Sequence, residues 1–199
     1  MATHRENEKS SRSRRRTRAA RRASDETTSP HDEDRDEPRD RFVVLLRHGL
    51  AEERGPDKAD EERSLTAEGH DRMKQIARGL ETVFPRAEAI CSSPLVRAMQ
   101  TALWVSKGYR SRIEVQTSGA LSPGSDPSEL RSLIDSMPVR RIILVGHEPN
   151  LTQGLMALLG MRDLHLELKK GGCYGVRMYA DGSASLEWLL SPRVLRRMA

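Results

Sequence analysis

Three short segments hold the residue types from which a reaction could be built. Arg47-His48-Gly49 follows the apolar run Phe42-Val43-Val44-Leu45-Leu46, and Gly146-His147-Glu148-Pro149-Asn150 follows a second run, Ile142-Ile143-Leu144-Val145. The third, Ser92-Ser93-Pro94-Leu95-Val96-Arg97, leaves a weaker strand at 87–91 and turns into a helix with Arg97 in its first turn. Arginine offers a planar fork of donors that matches phosphate oxygens, and a helix N-terminus adds backbone N–H groups. Two arginines, two histidines and helix starts together describe a site for a dianion. An imidazole among such cations stays neutral, because protonating it there costs more. Neutral imidazole is a nucleophile, and a phosphoryl group is the electrophile that the arginines would hold against it.

The elements that must bring these segments together can be read from the same sequence. Unbroken apolar runs of four or five residues are the mark of strands covered on both faces, as in a parallel sheet. Further strands are expected at 113–116, 174–179 and 184–189, the last two flanking a turn at Asp181-Gly182. Thr66 caps a helix whose apolar stripe runs Met73, Ile76, Ala77, Leu80, Val83 and Phe84 until Pro85 stops it. Asp126-Pro127-Ser128-Glu129 opens another helix, with Leu130, Leu133, Ile134 and Met137 on its inner face. A third opens at Pro149 and runs through Leu151, Leu155, Leu158 and Leu159 to Gly160. Strands alternating with helices predict a three-layer α/β/α fold with a mostly parallel central sheet. In such sheets ligands bind beyond the carboxyl ends of the strands, which is where all three segments fall.

Charge divides the chain near residue 40. Residues 1–23 hold nine Lys/Arg against two acids, and residues 24–40 hold two Arg against eight acids. With almost no apolar side chains, residues 1–40 cannot offset the entropy of ordering, and a disordered, charge-segregated tail is expected ahead of one domain over 41–199. The arginine-rich stretch lacks the aromatics that stack on bases, so nucleic acid is not the expected partner. No apolar run approaches a membrane span, and Cys91 and Cys173 form neither a disulfide framework nor a metal-ligand spacing. A cytoplasmic protein without cofactor or metal is the expectation. Cys91, inside an apolar run, reads as core, and His4, His31, His70 and His165 read as surface residues.

Arg47-His48-Gly49 after a strand, the Ser-Ser-Pro-x-x-Arg-Ala-x-x-Thr pattern at 92–101, and Gly146-His147 before a helix together resemble the histidine phosphatase superfamily, the phosphoglycerate-mutase-like proteins. The resemblance spans 42–191. Within it the chain looks most like the short SixA-type phosphohistidine phosphatases, through Asp60-x-x-Arg63-Ser-Leu-Thr66, Leu121-Ser122-Pro123 and Trp188-Leu189-Leu190-Ser191-Pro192. The resemblance implies that His48 attacks phosphorus and becomes a transient phosphohistidine, while Arg47, Arg97 and His147 hold the phosphoryl oxygens. Arg63 and Asp60 are candidates for the phosphate pocket or for a loop ion pair. Asn150 is a candidate to orient His147 or to cap its helix.

One departure from the family matters. Many members place an acidic proton donor at the end of a strand, about where this chain has Leu121-Ser122-Pro123, and serine cannot give up a proton near neutral pH. A phosphohistidine releases imidazole, a better leaving group than an alkoxide, so a phosphohistidine carrier protein is the expected partner. Glu52, Asp60 and Glu148 stay open as donors. Two other functions stay open as well: hydrolysis of small phosphomonoesters or nucleotide derivatives, and a low-turnover module that binds phosphorylated partners. A metal site lacks a third ligand at any known spacing, and no Gly-x-Ser-x-Gly elbow exists for a serine nucleophile.

Overall fold

A computed structural model describes residues 40–56, 59–110, 112–163 and 165–199. The expected tail therefore lies outside the described residues, apart from Asp40. Six strands form one sheet: β1 (Arg41–Arg47), β2 (Ala89–Ser92), β3 (Val115–Thr117), β4 (Arg141–Gly146), β5 (Cys173–Met178) and β6 (Ala184–Leu190). Five α-helices accompany them: α1 (Ala67–Val83), α2 (Val96–Gly108), α3 (Pro127–Ser136), α4 (Asn150–Leu159) and α5 (Pro192–Arg197). Short 3-10 turns at Asp60–Glu62 and Gly119–Leu121 are the other helical segments among the described residues.

The strand order is β3-β2-β4-β1-β5-β6. The β2–β3, β2–β4 and β1–β4 pairs are parallel, and β5 joins β1 and β6 antiparallel. This is the three-layer α/β arrangement with a mostly parallel sheet that the alternating runs predict. Along β1, side chains of successive residues point to opposite faces. Val44 and Leu46 enter a core with Met73, Ile76 and Leu80 of α1, Ala98 and Ala102 of α2, and Leu195 of α5. Val43 and Leu45 enter a second core with Leu130 and Ile134 of α3 and Leu151 and Leu155 of α4. Both faces being covered is why the run has no polar alternation. Burying each such side chain stabilises the fold by about 1.5–3 kcal/mol.

Helix starts follow the sequence signals. The Thr66 and Asp126 side chains accept from the Gly69 and Ser128 backbone N–H groups, as caps should. Two features differ from expectation. The strand expected at 113–116 lies at Val115–Thr117, and α5 was not anticipated, although Ser191-Pro192 is a cap followed by a first-turn proline. Six residues give too short a pattern for periodicity to register. Its close seat on α1 depends on Gly79, where a Cβ would fall 1.9 Å from the Leu195 carbonyl oxygen.

Cys91 and Cys173 are both buried and unbridged. His70 is half-buried rather than on the surface, because its Nδ1 accepts from the Trp104 indole N–H at 2.9 Å. Among the described residues no helix is long and apolar enough to cross a membrane.

Candidate active site

Parallel pairing of β1 with β4 sets Arg47 opposite Gly146, so the residues that follow, His48 and His147, emerge side by side at the same sheet edge. Their rings are 5.0 Å apart, centroid to centroid. The turn after β1 is held from three sides. His48 N–H donates to Gly146 O at 3.0 Å, Gly49 N–H donates to the Thr101 hydroxyl at 3.0 Å, and Gly171 N–H reaches the Arg47 and His48 carbonyls. Thr101 in turn donates to Arg97 O at 2.7 Å, which couples that turn to α2.

His48 Nδ1 lies 2.7 Å from the Gly49 carbonyl oxygen. A carbonyl can only accept, so Nδ1 carries the proton and the lone pair is on Nε2. His147 Nε2 pairs with the Ser93 hydroxyl at 2.9 Å, whereas its Nδ1 is buried without a partner. Burial, then the neighbouring His147, Arg97 and Arg47, pushes the His48 imidazole down to about 3. Burial and Arg97 push His147 down to about 4. Both rings are neutral at physiological pH, as nucleophilic chemistry requires.

Cations surround them. Arg47, Arg54, Arg63, Arg97 and Lys170 line one pocket of about 180 Å³ with His48, His147, Pro123 and Glu148. Arg47 is anchored through one terminal nitrogen to Leu168 O at 2.6 Å. Arg63 is anchored to the Glu52 carbonyl and to Asp60. Arg97, only 3% exposed, donates to both the carboxylate and the backbone carbonyl of Asp60. The Nε atoms of Arg47 and Arg97 are buried with no partner. Donors left unsatisfied in a buried setting are costly unless a ligand supplies the acceptor. The starts of α2 and α4 agree with this: neither has a side-chain cap, whereas α1, α3 and α5 are capped by Thr66, Asp126 and Ser191. At α4 the Leu151 and Gln153 N–H groups already donate to the His147 and Pro149 carbonyls, so it is the uncapped start of α2, beside fixed arginines, that adds to an anion site.

Comparison with known proteins agrees with that geometry. Residues 43–122 match the model of the histidine phosphatase superfamily, branch 1. An uncharacterised protein of Picosynechococcus sp. is 34% identical over 148 residues, covering 73% of this chain and 88% of that one. The chain belongs to the histidine phosphatase superfamily. It is a phosphohydrolase. Among solved structures it is similar to the protein histidine phosphatase SixA complexed with tungstate, with a TM-score of 0.70 and 22% identity over 77% of this chain and 99% of that one. The putative phosphohistidine phosphatase SixA from Agrobacterium tumefaciens gives 0.66 and 25% identity over 76% and 98%. A phosphoserine phosphatase mutant from Entamoeba histolytica in complex with phosphoserine gives 0.62 and 18% over 77% and 98%.

In this histidine phosphatase the pocket gathers Arg47, His48, Arg63, Arg97 and His147 from the residues singled out in the sequence. Two others fall elsewhere. Asp60 is absent from the pocket wall; its carboxylate accepts from Arg54, Arg63 and Arg97, and the Arg63 bond above all holds it well below the usual carboxylate range. It is thus a brace for two arginines and not a ligand for a dianion. Asn150 neither orients His147 nor caps α4: it donates to Ser125 O at 2.8 Å and accepts from Gly124 N–H at 3.0 Å, tying down the loop before α3. The sequence reading missed Lys170, Arg54 and Ser93. Ser93 stood inside a quoted motif, and Lys170 is brought in by Gly171, whose φ of +78° lets the chain turn back onto β1.

Proposed function

We propose that this phosphatase dephosphorylates phosphohistidine on a carrier protein, with His48 Nε2 as the nucleophile. Arg47 and Arg97, which line the pocket, hold the phosphoryl oxygens, and His147 donates to the same group as charge moves in the transition state. Water then hydrolyses the phosphorylated His48. Arg63, fixed by Asp60, adds charge at the pocket wall.

The observation that carries the substrate class is the wall contributed by residues 121–123. The residue there that lines the pocket is Pro123, and no carboxylate comes from that loop. Breaking a P–N bond to imidazole tolerates this better than breaking a P–O bond to an alkoxide. Likeness to a protein histidine phosphatase and to a putative phosphohistidine phosphatase supports the same class. Asp60 and Asn150 have positioning roles in this reading, the one for arginines and the other for a loop.

The test is transfer of radiolabel from a phosphohistidine-bearing carrier protein to wild type and to His48→Ala. Acid-labile, base-stable label on wild type alone, with phosphate release, is the expected result. Release of phosphate by His48→Ala at the wild-type rate would overturn the nucleophile. An alkyl phosphate hydrolysed while the carrier protein is ignored would overturn the substrate class. A carboxylate on another wall of the pocket gives the phosphomonoester reading its own support.

A further inference from the structure

Lys170 lies on the walls of two pockets. One is the catalytic pocket of His48 and His147. The other, of about 100 Å³, has Met73 and Ile76 of α1 as its buried lining and Arg72, Lys170, Arg193 and Arg196 as its outer lining. Gly49 borders it too, so it begins at the residue after His48. No carboxylate lines it. Arg72 pairs with Glu68 one turn earlier, an exposed pair that an incoming anion replaces at little cost. Among the described residues no carboxylate forms an ion pair with Lys170, Arg193 or Arg196.

The backbone fixes where this lysine stands. Gly171 N–H donates to the Arg47 and His48 carbonyls at 3.1 Å, which ties the loop to the turn after β1. A Cβ at Gly171 would fall 2.7 Å from Ile76 Cδ1, so the same loop is seated closely on α1. Loss of solvent, then Arg47, Arg63 and Arg97, lowers the Lys170 ammonium below the usual lysine range, against the opposing pull of Glu53. Five cations line the catalytic pocket, more than Glu148 and a phosphoryl dianion together neutralise. The positive excess continues past Lys170 into the second pocket, and an anionic ligand spanning both relieves that repulsion.

We infer that the pocket of Arg72, Lys170, Arg193 and Arg196 is a subsite for acidic residues, which takes the Asp or Glu carboxylates beside the phosphohistidine of the carrier protein. The inference rests on the phosphohistidine reading and names the kind of protein that the site selects. Lys170 is exposed and stands between the two pockets, so a ligand that uses both must cross it at the surface. A protein segment does this, with its phosphoryl group against His48 and its neighbouring carboxylates against Arg193 and Arg196. A phosphate monoester that fills the catalytic pocket alone gains nothing from those two arginines. Carboxylates held there are bound alike in the ground state and in the transition state, so they lower KM and leave kcat.

The test uses two synthetic phosphohistidine peptides of equal length, one with Asp and Glu around the phosphohistidine and the other with Asn and Gln in their place. Each is given to wild type, to Arg193→Gln/Arg196→Gln, and to Arg110→Gln/Arg140→Gln, which loses the same charge at exposed arginines outside both pockets. One exposed ion pair changes binding by up to about five-fold, so two or three give wild type a preference of about ten-fold in kcat/KM for the acidic peptide, carried by KM. That preference is expected to drop below about three-fold in Arg193→Gln/Arg196→Gln, and in wild type at about 0.5 M salt, and to persist in Arg110→Gln/Arg140→Gln. The readout is a ratio within each variant, so a general loss of activity cancels, and Arg193→Gln alone replaces the double variant should that not fold. Equal kcat/KM for the two peptides in wild type, a full preference in Arg193→Gln/Arg196→Gln, or an equal fall in Arg110→Gln/Arg140→Gln would each overturn the inference alone. Phosphate release from neither peptide, by a wild type that hydrolyses a phosphate monoester, would overturn the phosphohistidine reading and this inference with it.

Discussion

Replacing Asp60 by Asn tests whether the arginines of the pocket are held by a carboxylate or only rest near one. The carboxylate accepts from Arg63 and Arg97 at 2.7 and 2.9 Å, and the side chains of these arginines are 12% and 4% exposed. A third bond, from Arg54, involves a side chain that is 79% exposed and adds little. Net hydrogen bonds to charged groups are worth about 1.5–3 kcal/mol each, and an amide keeps one acceptor but no charge. Since Asp60 itself is 27% exposed, the loss falls short of a fully buried pair, and we expect about 2–3 kcal/mol. For a domain of this size that lowers Tm by roughly 4–12 °C. Removing the negative charge leaves the pocket more positive, so inorganic phosphate should raise the melting temperature of Asp60→Asn at least as much as that of wild type. Turnover should nevertheless fall, because Arg63 and Arg97 lose the partner that fixes their forks. Calorimetry with and without inorganic phosphate, alongside steady-state kinetics, reads all three. A variant with wild-type Tm and wild-type kcat would refute the bracing role.

Acid should destabilise the fold through its two buried histidines. His48 and His147 are held near 3 and 4 in the folded chain, so between those values and the ordinary histidine range the unfolded state binds more protons and stability falls with pH. Each histidine contributes about 2 kcal/mol to that loss between about pH 7 and pH 5, and His48→Asn should flatten the curve in urea titrations; an unchanged slope would mean that the imidazole is not buried neutral. Ser93→Ala removes the hydroxyl 2.9 Å from His147 Nε2 and leaves a second ring nitrogen unpaired, costing about 1–3 kcal/mol with a fall in kcat. Equal kcat in that variant would show that His147 needs no support from α2's entry loop. Gly79→Ala should destabilise by about 1–3 kcal/mol despite alanine's better helix propensity, because its Cβ would meet the Leu195 carbonyl. Hydrogen exchange should then rise first in α5.

Much of this architecture was legible because β1 and β4 are covered on both faces and must be apolar throughout, which marks both strand ends and the residues beyond them. The Thr66 and Asp126 caps were legible for a local reason, since a cap acts within its own turn. Asn150 and Lys170 were not, because their roles depend on partners 25 and more residues away, Ser125 and the β1 turn; for Asp60 the ion pair with Arg63 was legible, and its bond to Arg97, 37 residues away, was not. A spacing pattern shows that a carboxylate lies near arginines in sequence. It does not show whether the carboxylate faces the ligand or stands behind the arginines that do.

The order β3-β2-β4-β1 has a consequence for how the chain acquires its chemistry during synthesis. β1 and β2 are made early yet do not pair with each other; the strand that separates them, β4, comes some fifty residues after β2. Until it slots in, His48 has no His147 beside it, its N–H has no Gly146 carbonyl, and Ser93 N–H lacks Val145. The centre of the sheet therefore closes by insertion and not by extension from an edge. A nascent chain ending before residue 141 would expose two unfilled strand edges, and hydrolysis of a phosphorylated substrate would begin only after that gap is filled.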